Sequence, residues 1–220
     1  MTGKKHSGFF ITFEGPEGSG KSTHSLLLYD YLRKKGLPAV HTREPGGTEL
    51  AEGLRQVLLN PKNKVLPLTE LMLYEASRSQ HTEELIRPSL EKGKIVICER
   101  YTDATLAYQG YGRGLDKKII KTLNNIATAG LIPNLTIILD ISVREGLKKA
   151  RALKNRGDRL ERENSKFHER VRQGYLKIAR ENPRRIKIIR TAPTINETHK
   201  KIIELVEKKL NENYWPRKNN

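Results

Sequence analysis

Short apolar runs recur along the chain at 9–13, 39–42, 95–98, 135–140 and 186–189. They are apolar nearly throughout rather than alternating, which predicts strands covered on both faces, as in a parallel sheet. Helical spacing fills the intervals. Residues 25–35 carry Leu26, Leu27, Leu28, Tyr31 and Leu32, and residues 49–59 set Leu50, Leu54, Leu58 and Leu59 on one side. A longer pattern over 68–92 contains Pro88, which predicts a kink or break near Arg87. Asp116 predicts the cap of a helix reaching about residue 129. Ser142-x-x-Glu145 and Thr194-x-x-Glu197 read as capping boxes, and another helix is expected over 165–180. Residues 110–114 read as a glycine-rich loop.

Strand and helix alternate from end to end, so the expected class is α/β, a five-stranded parallel sheet with helices on both faces. Ligands then gather at the carboxyl ends of the strands. One stretch gives that location a chemistry. Gly15-Pro16-Glu17-Gly18-Ser19-Gly20-Lys21-Ser22 fits G-x-x-x-x-G-K-[ST], between a predicted strand and a predicted helix. Glycines let successive N–H groups turn inward, and the helix N-terminus adds partial positive charge, so the loop suits a polyphosphate. Lys21 is placed to reach the β- and γ-phosphates and Ser22 to meet Mg²⁺. The fold class is therefore the three-layer P-loop NTPase type.

Composition narrows the rest. The net charge is +17, with 42 Lys and Arg against 25 Asp and Glu, spread along the chain rather than gathered in one arm. Anionic phosphates as ligands account for this as well as nucleic acid does, so nucleic-acid binding is not expected as the main function. Cys98, the single cysteine, leaves no internal disulfide and suits a reducing cytoplasm. No apolar run is long enough to span a bilayer, and the first residues lack the apolar core of a secretion signal. With 220 residues, the chain reads as a single domain over 1–210 with a charge-dense lid at about 148–164 and a loose basic tail over 211–220. The guanine-reading N-K-x-D of GTPases is missing, since Asn63-Lys64 runs into Val65-Leu66.

Several further motifs, in order, make the chain resemble the thymidylate kinases. They are the 13–23 loop, Thr42-Arg43-Glu44-Pro45-Gly46-Gly47-Thr48, Glu99-Arg100-Tyr101 running into Ala107-Tyr108-Gln109-Gly110, Pro133-x-Leu135-Thr136, and Asp158-Arg159-Leu160-Glu161. The resemblance covers roughly residues 9–210. It implies transfer of a phosphate from ATP, with Mg²⁺, to dTMP, giving dTDP, in a cytoplasmic homodimer. It assigns Gly15, Pro16, Glu17, Gly18, Ser19, Gly20, Lys21, Ser22 and Thr23 to the ATP phosphates. Glu17 also faces the monophosphate, Arg55 and Arg100 grip the dTMP phosphate, and Glu44 borders the sugar.

By the same resemblance Tyr74 stacks on thymine, Arg78 one turn later bonds a thymine carbonyl, and Thr105 and Gln109 complete the base pocket. Positions 74 and 78 do share a helix face. Tyr74 fits core packing too, Arg78 a surface charge, and Tyr108 either the sugar wall or the core. The family it resembles places an arginine either in the P-loop or in the lid, and Pro16, Glu17 and Ser19 leave none in the loop. The resemblance therefore implies that the lid arginines Arg151, Arg156 and Arg159 are catalytic beside Lys21 and Arg100, Arg159 foremost. Glu99 stands where the family commonly has Asp and is kept, with Ser22, as a metal candidate. Asp140 reads equally as a Walker-B-type carboxylate or a strand-end cap. The remaining rival is a kinase for another nucleoside monophosphate or for a deoxynucleoside.

Overall fold

The computed structural model describes residues 7–153 and 158–214. Among them, strands β1 (Phe9–Glu14), β2 (Ala39–Arg43), β3 (Ile95–Glu99), β4 (Leu135–Asp140) and β5 (Ile186–Arg190) form one parallel sheet in the order β2-β3-β1-β4-β5. The first strand is thus central, and the chain adds strands to one side of it before crossing to the other. Such a switch point opens a crevice at the strand ends.

Pleating divides each strand between two cores. Phe9, Ile11 and Phe13 of β1 face one side, with Ile95, Ile97, Leu135, Ile137 and Leu139. Helices α1 (Lys21–Lys34) and α9 (Ile195–Asn213) cover that side through Leu28, Leu32, Ile202, Val206 and Leu210. Phe10, Val96 and Cys98 face the other side, against Ile86 and Leu90. A third cluster joins Ile138 to Tyr108, Phe167, Val171 and Tyr175, the last three on α8 (Ser165–Glu181). The Cys98 thiol is fully buried, and burial pushes its pKa well up.

Helix ends follow the local signals. Thr48 caps α2 (Glu49–Leu59), and the Asp116 carboxylate accepts from Lys118 N–H (2.7 Å) at α6 (Lys117–Ala127). Thr194 and Glu197 form a complete capping box on α9. At α7 (Val143–Leu153), Ser142 Oγ accepts from Glu145 N–H (3.3 Å), but the Glu145 carboxylate bonds the Ser142 hydroxyl.

Three expectations change. Of the kink or break expected near Arg87, the break does not occur: α3 (Pro67–His81) passes through a π-helical turn, Thr82–Ile86, into α4 (Arg87–Glu91), so the irregularity there is a change of helical turn. Pro88 sits in the first turn of α4, where a missing N–H is tolerated. The glycine-rich 110–114 stretch is a loop only at its end, where Arg113 and Gly114 follow the helical turns. α5 (Thr102–Thr105) runs into a second π-helical segment, Leu106–Gly112, packed on α8. Glycine serves close approach there, since a Cβ on Gly112 would stand 2.7 Å from the Phe167 ring.

Nor is the tail loose from 211. α9 continues to Asn213, and Tyr214 is buried with its ring 6.4 Å from Phe9 and its hydroxyl donating to the Gly93 carbonyl (2.6 Å). The later tail residues, 215–220, lie outside the described residues. Tyr214→Ala should therefore cost about 3 kcal/mol of stability, as for other buried aromatic truncations. Equilibrium urea unfolding checks this, and an unchanged midpoint would put Tyr214 outside the core.

Candidate active site

The turn out of β1 is shaped by backbone crowding. Gly15, Gly18 and Gly20 have φ of 135°, 67° and 86°, the left-handed range that side chains disfavour. A Cβ on Gly15 would strike the Leu139 carbonyl, and one on Gly18 the Gly146 carbonyl of α7. Gly20 stands at the start of α1 with no side-chain cap, so the first N–H groups of that helix are open to an anion. The Ser19 hydroxyl is buried without a partner among the described residues. Ser22 and Thr23 are exposed at the cleft. Lys21 is buried, and its ammonium donates to the Gly15 (3.1 Å) and Pro16 (2.8 Å) carbonyls. Burial and the Arg100 charge draw its pKa down to about 8, against the pull of Glu17.

From this loop one cleft of about 760 Å³ extends past Arg100 to Tyr74, Arg78, Thr105 and Gln109. Arg100 is the hinge between the two halves. Its own backbone is left-handed (φ 67°), held by its N–H to the Phe13 carbonyl (2.9 Å). The next N–H, of Tyr101, donates to Glu14 Oε1 (2.7 Å), and the Tyr175 hydroxyl donates to Glu14 Oε2 (2.8 Å). The Arg100 guanidinium lies 4.8 Å over the Tyr108 ring and donates to Glu17 Oε1 (2.6 Å), which also accepts from the Tyr108 hydroxyl (2.6 Å). Burial disfavours the Glu17 charge, but Arg100, Lys21 and Tyr108 outweigh it and hold its carboxyl down at about 2. Glu14 goes the other way: burial, then the nearby Asp103, raises it to about 8.

The far half is built on buried ion pairs. Arg78 is 1 % exposed. Its Nε donates to Glu44 Oε2 (2.8 Å), and Nη1 approaches Glu75 Oε1 (3.0 Å), Thr105 Oγ1 (2.8 Å) and Asn124 Oδ1 (2.9 Å). Glu44 also meets His81 Nδ1 (3.1 Å). Gln109 Nε2 donates to Glu70 Oε1 (2.8 Å). Tyr74 is half-buried, lining the cleft and packing on the α8 core at once. Arg55 lines the same wall and donates to the Pro45 carbonyl (2.8 Å); burial, with Arg43 nearby, lowers its pKa.

The comparisons with known proteins agree on one family. The thymidylate kinase family model matches residues 13–202. The chain belongs to the thymidylate kinase family. It is 47 % identical over 211 residues to the thymidylate kinase of Geotalea uraniireducens, covering 93 % of this chain and 99 % of that one. The thymidylate kinase of Syntrophotalea carbinolica is 49 % identical over 195 residues, 86 % and 90 % of the two chains. The crystal structure of thymidylate kinase from Ehrlichia chaffeensis superposes with a TM-score of 0.75 at 37 % identity, covering 91 % and 98 %.

Against the pattern expected of the family, the cleft brings together Glu17, Gly18, Ser19, Gly20, Lys21, Ser22 and Thr23 with Glu44, Arg55, Tyr74, Arg78, Glu99, Arg100, Thr105, Tyr108 and Gln109. Gly15 and Pro16 lie buried behind the loop, where their carbonyls hold Lys21. Of the lid arginines, Arg151 and Arg159 do not converge on Lys21. Arg159 Nε donates to the Leu58 carbonyl (2.8 Å) and its Nη1 pairs with Glu70 Oε2 (2.5 Å), because Glu70 is a fully buried carboxylate that draws cations inward. Arg151 is exposed beside a shallow groove with Lys148 and Lys166, while Lys149 of α7 faces the cleft. Arg156 lies outside the described residues. Asp140 is held in a two-pronged bond by Arg172 (2.7 and 2.9 Å), which answers to the strand-end role.

Sequence reading missed Glu14, Glu70 and Tyr175, and also the wall from Thr191 to Ile195 beside the P-loop. A lone carboxylate ending an apolar strand was a usable signal for Glu14; nothing local marked the others.

Glu14 carries a pH signature. Its folded value of about 8 exceeds the ordinary 4.5, so between those values the native chain keeps a proton that the unfolded chain has lost. That contribution is complete below 4.5 and is lost as pH rises through 8. Glu14→Gln keeps a neutral hydrogen-bonding group and removes the loss. Its stability relative to the parent should climb across this window and then level off. Urea unfolding at stepped pH checks it, and a difference independent of pH would contradict a neutral buried Glu14.

Proposed function

We propose that this chain transfers the γ-phosphoryl group of ATP to a phosphate oxygen of dTMP, in the cytoplasm, giving ADP and dTDP. The observation that carries the reading is a single cleft with a phosphate loop at one end and a base-sized pocket at the other, joined at Arg100. The new bond forms between a dTMP phosphate oxygen and the γ-phosphorus as the bond to the β-phosphate oxygen breaks. The acceptor oxygen is already ionised at neutral pH, so catalysis is positioning and charge neutralisation rather than proton removal.

In this reading the amides of the loop through Thr23, with Lys21, hold the ATP phosphates. Arg100 and Arg55 grip the dTMP phosphate as guanidinium forks. Glu17 keeps Arg100 aimed until the phosphate dianion shares it. Tyr108 and Glu44 wall the sugar, while Tyr74, Arg78, Thr105 and Gln109 surround the base. A lid over about 148–164 shields the phosphates from water, with Lys149 supplying charge from α7. Arg159 braces the base pocket instead.

Mg²⁺ fits this set, since the exposed Ser22 hydroxyl and the Glu99 carboxylate both offer the cleft the oxygen donors that a hard divalent cation takes. Ser22 and Glu99, both at the cleft, are the residues to hold it. When bound, it supplies neutralisation of phosphate charge.

Lys21→Ala should lower kcat by about 10²–10³-fold with little change in KM for dTMP, whereas Arg100→Ala should raise that KM. Coupled release of ADP with dTMP, dUMP, UMP, AMP and GMP tests the acceptor. Turnover of AMP or GMP in preference to dTMP would overturn the proposal.

A homodimer belongs to the same reading. α3 and α6 pack side by side and leave Leu68, Met72, Ile119 and Ile126 exposed, an apolar face of the kind that subunits cover. Met72→Lys with Ile126→Lys should yield a monomer in sedimentation equilibrium; a parent chain that is itself monomeric would refute the dimer.

A further inference from the structure

A carboxamide can present either a donor or an acceptor, so the chemistry that Gln109 offers to the cleft depends on which way its amide is turned. Its neighbour decides. Glu70, which accepts from Gln109 Nε2, is 0 % exposed and ringed by donors. Arg113 Nε reaches Oε1 and Arg113 Nη2 reaches Oε2, each at 3.1 Å, and Arg159 Nη1 stands 2.5 Å from Oε2. Each carboxylate oxygen therefore meets two donors. Burial opposes the Glu70 charge, but the Arg113 and Gln109 hydrogen bonds and the two guanidiniums outweigh it and keep the carboxyl below its usual range.

An ionised carboxylate has no proton to give. Only the NH₂ of Gln109 can face it, because the reversed amide would press two acceptors together in a dry site. Gln109 Oε1 is then the atom turned to the cleft that this residue lines. Arg78, which lines the same cleft and whose Nη2 also donates to the Tyr101 carbonyl (3.0 Å), can only donate. A base edge carrying a carbonyl and an N–H matches that pair; one carrying an amine and a bare ring nitrogen opposes it.

We infer that Glu70 is a specificity-setting positioning residue, locking the Gln109 amide so that the pocket selects pyrimidine monophosphates bearing an imide N–H. The inference rests on the dTMP kinase reading above. The same carboxylate ties the 158–163 segment to the pocket, since Arg113 also pairs with Glu163 (2.6 Å).

The test compares dTMP with its N3-methyl analogue in the parent, Glu70→Gln, Gln109→Met and the double variant. In the parent, methylation should lower kcat/KM by about 10²-fold or more, as it leaves the buried acceptor unpaired. Glu70→Gln should shrink that discrimination by roughly tenfold, the worth of one hydrogen bond. The loss should appear in KM for dTMP with KM for ATP unmoved. Because the discrimination against the N3-methyl analogue runs through Gln109, Glu70→Gln should take nothing more from it in the double variant than Gln109→Met does alone. Additive losses, or full discrimination in Glu70→Gln, would overturn the inference while leaving the kinase reading intact. A parent that does not phosphorylate dTMP would instead bring down the reading beneath it. Should Glu70→Gln fail to fold, ¹⁵N spectra of the parent carry the test. Held by Glu70, the Gln109 side-chain amide protons should exchange slowly with and without dTMP, and fast exchange in either state would overturn the inference.

Discussion

The passage from β1 to α1 is the constraint on which the rest of the structure depends. Residues 15–20 must leave the centre of a sheet, clear β4 and α7, and open a helix with its amides unblocked. The Leu139 and Gly146 carbonyls leave no room for a side chain at positions 15 and 18. What the glycines give up in chain stiffness returns as a rigid cradle, because the loop is pressed against backbone on its outer side. Lys21 is shaped by the same packing. Its ammonium lies on the loop's own carbonyls, a desolvated cation close to where phosphates are proposed to arrive.

Around that cradle, a chain with net charge +17 organises its cleft with carboxylates. Glu17 takes Arg100, Glu44 takes Arg78, and Glu70 takes Arg113 and Arg159. Buried ion pairs are poor sources of stability, since desolvation offsets most of the attraction. Their use here is geometric. A guanidinium has five donors in a fixed plane, and a buried carboxylate fixes where that plane lies. Glu14 contributes in neutral form, holding the Tyr101 amide next to the left-handed turn at Arg100.

Much of this was legible in residue order. The strands, the phosphate loop and the caps at Asp116 and Thr194 are local properties, and local signals predict them. The π-helical segments are different. Gly110 and Gly112 look like loop residues until α8 is known to pack there, so a tertiary contact overrides their propensity. Arg159 fails for a related reason. A charge-dense run suggests an exposed lid, yet one buried carboxylate distant in sequence, Glu70, takes this arginine out of the run. Tyr214 sits next to a polar, basic stretch, and only the pocket between Phe9 and Gly93 reveals that it belongs to the core.

The second π-helical segment also explains how the two ends of the cleft stay in register. Tyr108 and Gln109 are consecutive, yet Tyr108 donates to Glu17 of the phosphate loop and Gln109 to Glu70 beneath the base pocket. A single turn of backbone therefore spans both halves of the site. The wider i→i+5 turn is a costly local choice, found often where function requires a particular aim. Here α8 packs against this turn and holds it in place: Gly112 lies against Phe167 and Val171 of α8, and Arg170 donates to the Gly112 carbonyl (2.8 Å). Glu70, Gln109, Tyr108, Glu17 and Arg100 are thus joined in one continuous run of hydrogen bonds and backbone. On the proposed reading, such a link makes the position of the base and the grip on the phosphate one geometric condition instead of two.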